Sequence, residues 1–142
     1  MENNTSDFRQ SVSDNYCFAC GRDNPFGLHL NFEIADDKFI ARKTLTREFQ
    51  SFTGVAHGGI VTTLLDEAMG GYLVALGKKG FTARIEVRYR HPTPIGEELT
   101  ITGWQESTRG HFVNMKAAVA LPDGTVTAEA KATMSIAAEQ EN

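Results

Sequence analysis

The chain has 142 residues, with 14 basic against 18 acidic side chains for a net charge of −4, and 23% of its residues are charged. A single domain of this size buries about two-thirds of the surface its unfolded chain exposes, so it needs no staple to hold a core. The acidic balance argues against a nucleic-acid partner, which calls for a basic stripe, and two cysteines cannot build a disulfide framework or, alone, a four-ligand zinc site.

The first ten residues contain no apolar run, so no signal peptide is expected. The longest apolar-plus-glycine stretch, Ala68 to Gly77, is ten residues, too short for a bilayer. The expectation is a cytoplasmic protein with no membrane partner, divided into an N-terminal segment at 1–24 and one domain at 25–138. Within the segment, Cys17-Phe-Ala-Cys20-Gly21 invites a redox or zinc reading. A thioredoxin-like site needs a helix opening at the motif, whereas Gly21, Asn24, Pro25 and Gly27 spell turns. Zinc needs two more ligands, and His29, His57, His91 and His111 show no paired spacing. A structural role is expected, with no metal.

Leu28, Leu30, Phe32 and Ile34 alternate with polar residues and predict a first strand. Asp36-Asp37 makes a turn, and Phe39 to Thr46 reads as a second strand. A helix follows from about Gly59 to Leu76. Ala83, Ile85, Val87 and Tyr89 then alternate with Arg84, Glu86, Arg88 and Arg90, until Pro92 and Pro94-Ile-Gly96 end the strand. Leu99 to Trp104, Phe112 to Ala120 and Val126 to Ile136 complete the set, and Pro122-Asp-Gly124 predicts a hairpin between the last two. Two strands, one long helix and four more antiparallel strands make an α+β domain with a curved sheet around a central helix.

Val61, Leu64, Leu65, Ala68, Met69, Tyr72 and Leu76 form one broad apolar helix face. The opposite face carries Gly59, Thr62, Thr63, Asp66 and Gly70 instead of the usual Lys, Glu and Arg. An unremarkable solvent face would explain this; the sharper reading is close approach of a ligand or a second subunit. Gly70 and Gly71 each cost about 1 kcal/mol against Ala in mid-helix. At the helix entry, His57-Gly58-Gly59 leaves backbone N–H groups unpaired where the helix dipole favours negative charge. A joint that needs glycine for its backbone angles explains that pair equally. A polarising N–H and a carboxylate are nevertheless the minimum kit for acyl-transfer hydrolysis. No G-x-S-x-G elbow and no P-loop are present.

His57-Gly-Gly-Ile-Val-Thr-Thr-Leu-Leu-Asp66-Glu67, with Asp nine residues after His, resembles the central-helix signature of the hotdog-fold acyl-CoA thioesterases, in the phenylacetate-pathway branch. Arg84-Ile-Glu-Val-Arg-Tyr-Arg-His-Pro92 and Gly96-Glu97 are similar to that family's third strand and the turn after it. The resemblance implies a hotdog fold over about residues 25 to 137. It further implies hydrolysis of an acyl-CoA to free acid and coenzyme A without a cofactor. Gly58 would bind the thioester oxygen through its N–H. Asp66 would be nucleophile or general base, Thr82 would assist the water or the carboxylate, and His57 would position rather than act as base. Glu67 lies about 100° round the helix and is the lesser carboxylate.

Family members often carry Asn six residues before the His, where this chain has Ser51, next to Gln50; either could make a polar contact to substrate. Gly59 and Phe52 would also line the substrate, with Phe49 close by. Arg88 and Arg90, with Arg84, read as a solvated face or as a site for coenzyme A phosphates. The expected assembly is a homodimer or a dimer of dimers, with Gly58 of one subunit facing Asp66 and Thr82 of the other. The competing function is a non-catalytic acyl-CoA-binding or regulatory hotdog module; a hotdog hydratase fits the His-to-Asp spacing less well.

Overall fold

The computed structural model describes residues 13–137. In chain order they form β1 (Glu33–Ala35), β2 (Lys38–Thr44), a 3-10 turn (Arg47–Phe49), α1 (Gly58–Ala75), β3 (Gly80–Tyr89), β4 (Glu98–Arg109), β5 (Phe112–Ala120) and β6 (Val126–Ile136). The strands make one antiparallel sheet in the order β1-β2-β4-β5-β6-β3. Packed on one face, α1 touches β2, β3, β4, β5 and β6. This is the expected α+β architecture, a hotdog fold with the sheet curved round its central helix. No helix among the described residues is long and apolar enough to cross a membrane.

Period-two alternation explains the core. Val113, Met115, Ala117 and Val119 of β5 and Ala128, Ala130, Ala132 and Met134 of β6 all turn inward and are buried. They meet Val61, Leu64, Leu65, Ala68 and Met69 of α1 in one cluster. Burying each such large aliphatic side chain contributes about 1.5–3 kcal/mol. Gly103 of β4 sets how closely the helix can lie: a β-carbon there would stand 2.1 Å from the Ala68 carbonyl oxygen. Gly71 has a similar reason, because a β-carbon would come within 3.1 Å of the Phe39 ring. Phe39 itself stacks between Phe32 at 4.4 Å and Tyr72 at 5.4 Å.

Two expectations are corrected. The first strand is expected from Leu28, but pairing with β2 begins only at Glu33. Leu28 and Leu30 are buried, and their N–H groups bond to the Phe18 and Ala19 carbonyls of the cysteine segment instead. The β1–β2 hairpin closes at Asp36-Asp37, both at positive φ (53° and 60°), the backbone that a two-residue type I′ turn requires. The second correction lies in β3, where the register shifts between Thr82 and Arg84. That bulge leaves Ala83 unpaired and puts Thr82, rather than Ala83, on the inner face with Ile85 and Val87, each opposite a buried residue of β6.

Candidate functional site

The chain enters α1 through His57, whose backbone is extended (φ −61°, ψ 135°) and whose Nδ1 accepts the Gly59 N–H at 2.9 Å. An Nδ1 that accepts carries no proton, so the ring holds its hydrogen on Nε2. His57 is thus a helix cap. The first-turn donors can be followed one by one. His57 N–H goes to the Phe49 carbonyl, and the Ile60 and Val61 N–H groups both go to the His57 carbonyl. With Gly59 taken by the imidazole, the Gly58 N–H alone has no acceptor among the described residues. The Gly58 carbonyl, on the other side of the same residue, accepts from the Tyr89 hydroxyl at 2.9 Å, and that hydroxyl also pairs with Thr62 Oγ1. Tyr89 therefore pins the end of β3 to the first turn of α1.

Two turns along, Asp66 is half-buried, and Thr82 Oγ1 donates to its Oδ1 at 2.7 Å. A hydrogen bond to an ionised carboxylate is among the stronger ones, contributing about 1.5–3 kcal/mol. It leaves Oδ2 without a protein partner among the described residues. The β3 bulge makes this contact possible, because in unbroken register Thr82 would face outward.

Gly58 and Thr82 line separate hollows. A cleft of about 380 Å³ at the helix entry is lined by Gly58, Ser51, Phe52, Tyr89 and His91. A smaller cavity of about 160 Å³ adjoins Thr82, Phe81, Met134, Glu67, Cys17 and Cys20. Gly58 and Asp66 are eight residues apart on one helix, about 12 Å along its axis. An N–H and a carboxylate that act on one carbon must each come within about 3 Å of its reacting atoms. No single chain brings the two together.

The structure distributes the remaining sequence-predicted residues as follows. Phe52 is 82% exposed, and Ser51 lies beside it on the cleft wall. Gln50 turns away and holds its own loop, its Oε1 accepting from the Gly54 N–H at 3.0 Å. Phe49 packs against the core. Arg88 and Arg90 border a hollow with Trp104 and Lys116 on the outer side of the sheet, where Arg90 donates to Glu129. Tyr89 carries no local signal of its contacts, since its alternation reads as one more strand residue.

In the cysteine segment, Cys17 and Cys20 are free thiols. The Cys20 thiol donates to Cys17 and, with nearby backbone N–H groups, outweighs burial to bring Cys17 down to about 5. That same bond, then burial, then the Glu67 charge, push the Cys20 thiol up.

The thioesterase superfamily model matches residues 53–132. Among solved structures, a thioesterase superfamily protein is 30% identical over 85% of this chain, with a TM-score of 0.81; the chain spans 60% of that protein. The E. coli PaaI protein from the phenylacetic acid degradation operon is 15% identical, with 95% of this chain and 99% of that one covered and a TM-score of 0.76. A Streptococcus pneumoniae hypothetical thioesterase solved with coenzyme A is 21% identical, with 79% and 91% covered and a TM-score of 0.72. None of the curated proteins compared with the chain matches it.

Proposed function

This chain belongs to the thioesterase superfamily, and on that premise we propose that it hydrolyses acyl-CoA thioesters as a homodimer whose two sites each draw on both copies. The observation that carries this reading is the Gly58 N–H, the one first-turn donor of α1 left without an acceptor among the described residues. It points out of a helix N-terminus, where the dipole favours a developing oxyanion. The missing carboxylate would come from the second copy, as Asp66 held by Thr82. The long edge of the sheet supports that pairing: β3 ends the strand order with ten residues, one side of it unpaired among the described residues. Its Phe81 is 67% exposed. Such an edge is ordinarily covered, and a two-fold axis there would generate two equivalent sites.

In the proposed reaction the thioester oxygen accepts from the Gly58 N–H. Asp66 Oδ2 either takes a proton from water as it attacks the carbonyl carbon or attacks that carbon itself, with water then releasing the acid. The C–S bond breaks, the sulfur leaves as the coenzyme A thiolate, and a free acid remains. Thr82 holds Asp66, Tyr89 and His57 hold the Gly58 turn, and Ser51, Gly59 and Phe52 border the substrate. The free thiols fit a reducing compartment such as the cytoplasm. A panel of acyl-CoAs assayed for thiol release tests the reading. Release from at least one member is expected; coenzyme A binding without any release would favour the non-catalytic module instead.

A further inference from the structure

We propose that Cys17, Cys20 and Glu67 form a binding site for a divalent transition-metal cation, zinc by the nature of its ligands, with a fourth position open to the adjoining cavity. The three ligand atoms lie within 4.8 Å of one another, and Cys17 Sγ is 4.0 Å from Glu67 Oε1. Zinc bonds of about 2.3 Å to sulfur and about 2.0 Å to oxygen, at the tetrahedral angle, place sulfur and oxygen about 3.5 Å apart. For the Cys17–Glu67 pair, a closing movement of about 0.5 Å would suffice. Two thiolates and a carboxylate suit zinc better than a hard oxygen-seeking ion. The sequence pattern reveals only two ligands, because Glu67 arrives from α1, fifty residues along the chain.

The surroundings are built for this convergence. The turn from Cys17 to Gly21 is tight: the Gly21 N–H bonds to the Cys17 carbonyl at 2.8 Å, and the Ala19 N–H points at Cys17 Sγ at 3.3 Å. A β-carbon at Gly21 would stand 2.3 Å from the Cys17 nitrogen, so only glycine closes the turn. On the helix, a β-carbon at Gly71 would reach 2.9 Å from Glu67 Oε2; the mid-helix glycine leaves space for that carboxylate. Two thiols from one tight turn and a carboxylate from the helix beside it are the donor types of a zinc site.

The test uses the full-length reduced protein, stripped of metal and titrated with Co²⁺, then Zn²⁺. One Co²⁺ per chain should bind with thiolate charge-transfer and tetrahedral visible bands, and Zn²⁺ should displace it and raise the melting temperature. Cys17→Ser and Cys20→Ser should lose charge-transfer intensity. Glu67→Gln keeps both thiols, and with its fold verified by circular dichroism it should weaken Zn²⁺ binding at least ~100-fold, at or beyond the upper end of an outer-shell loss. A folded, reduced wild-type protein that gives no tetrahedral Co²⁺ spectrum overturns the proposal. So does Zn²⁺ affinity unchanged in folded Glu67→Gln. No turnover is measured, so the result is independent of the proposed hydrolysis.

Discussion

Gly58 and Asp66 stand eight residues apart on one helix, about 12 Å along its axis, and among the described residues the Gly58 N–H has no acceptor and one Asp66 oxygen has no donor. Brought together from two copies, they would flank a thioester carbonyl from opposite sides.

Asp66→Asn keeps the size of the side chain and removes its charge. Turnover should fall at least ~10²-fold, the scale of a lost general base or nucleophile, with the melting temperature within a few degrees of wild type. Thiol release near the wild-type rate by the folded variant would refute the role. Thr82→Val should have a smaller effect in the same direction, since it frees the carboxylate from its anchor without deleting it.

Gly58→Pro separates donor from turn. Proline is favoured at the first helical position, where its missing N–H has no helical partner. His57 already has the extended backbone that a residue before proline adopts. The nearest atoms to a β-carbon at Gly58 would be the Tyr89 hydroxyl at 3.5 Å and its ring carbons at 3.6 and 3.8 Å, ordinary contact distances. The variant should therefore fold and lose roughly 10²–10³ in turnover. A turn-only role predicts unchanged turnover per folded molecule, so melting temperature and initial rate together decide.

Those two residues were legible because their signals are local: a lone carboxylate among small side chains, and glycines at a helix entry. The strands from β2 onward and the helix followed from periodicity for the same reason. The β3 bulge was not legible, because alternation through Ala83, Ile85, Val87 and Tyr89 is as regular in sequence as an unbroken strand. Tyr89 on β3, Gly103 on β4 and Glu67 on α1 act through Gly58, Ala68 and Cys17, each more than thirty residues away. No spacing rule within one segment contains such contacts. Leu28 and Leu30 alternate as strand residues do; only the partner differs, and that partner is the cysteine turn.

Gly103→Ala tests the close helix–sheet approach apart from any chemistry. The new methyl would meet the Ala68 carbonyl oxygen, which is fixed in the helix backbone. Overpacking of this kind costs about 1–3 kcal/mol or more. Denaturant titration should show a lower midpoint with an unchanged slope; wild-type stability would mean the helix can shift freely.

Cys17 provides a pH test in metal-free protein. A thiol lowered to about 5 is mostly thiolate above that pH and protonated below it. Alkylation of Cys17 should therefore persist well below pH 7. Cys20→Ala removes the main lowering contact and should move the onset upward, toward the ordinary value of 9.0. Identical pH–rate profiles for the two proteins would contradict the account.

The shared site is tested most directly by mixing Asp66→Asn with Gly58→Pro, each nearly inactive alone, under conditions that exchange subunits. Random pairing makes half the dimers hybrid, and one of a hybrid's two sites has both native groups. Recovery of about a quarter of wild-type activity is predicted for a two-fold dimer. No recovery from verified hybrids, or full activity from a monomer at assay concentration, would contradict a site built from two copies.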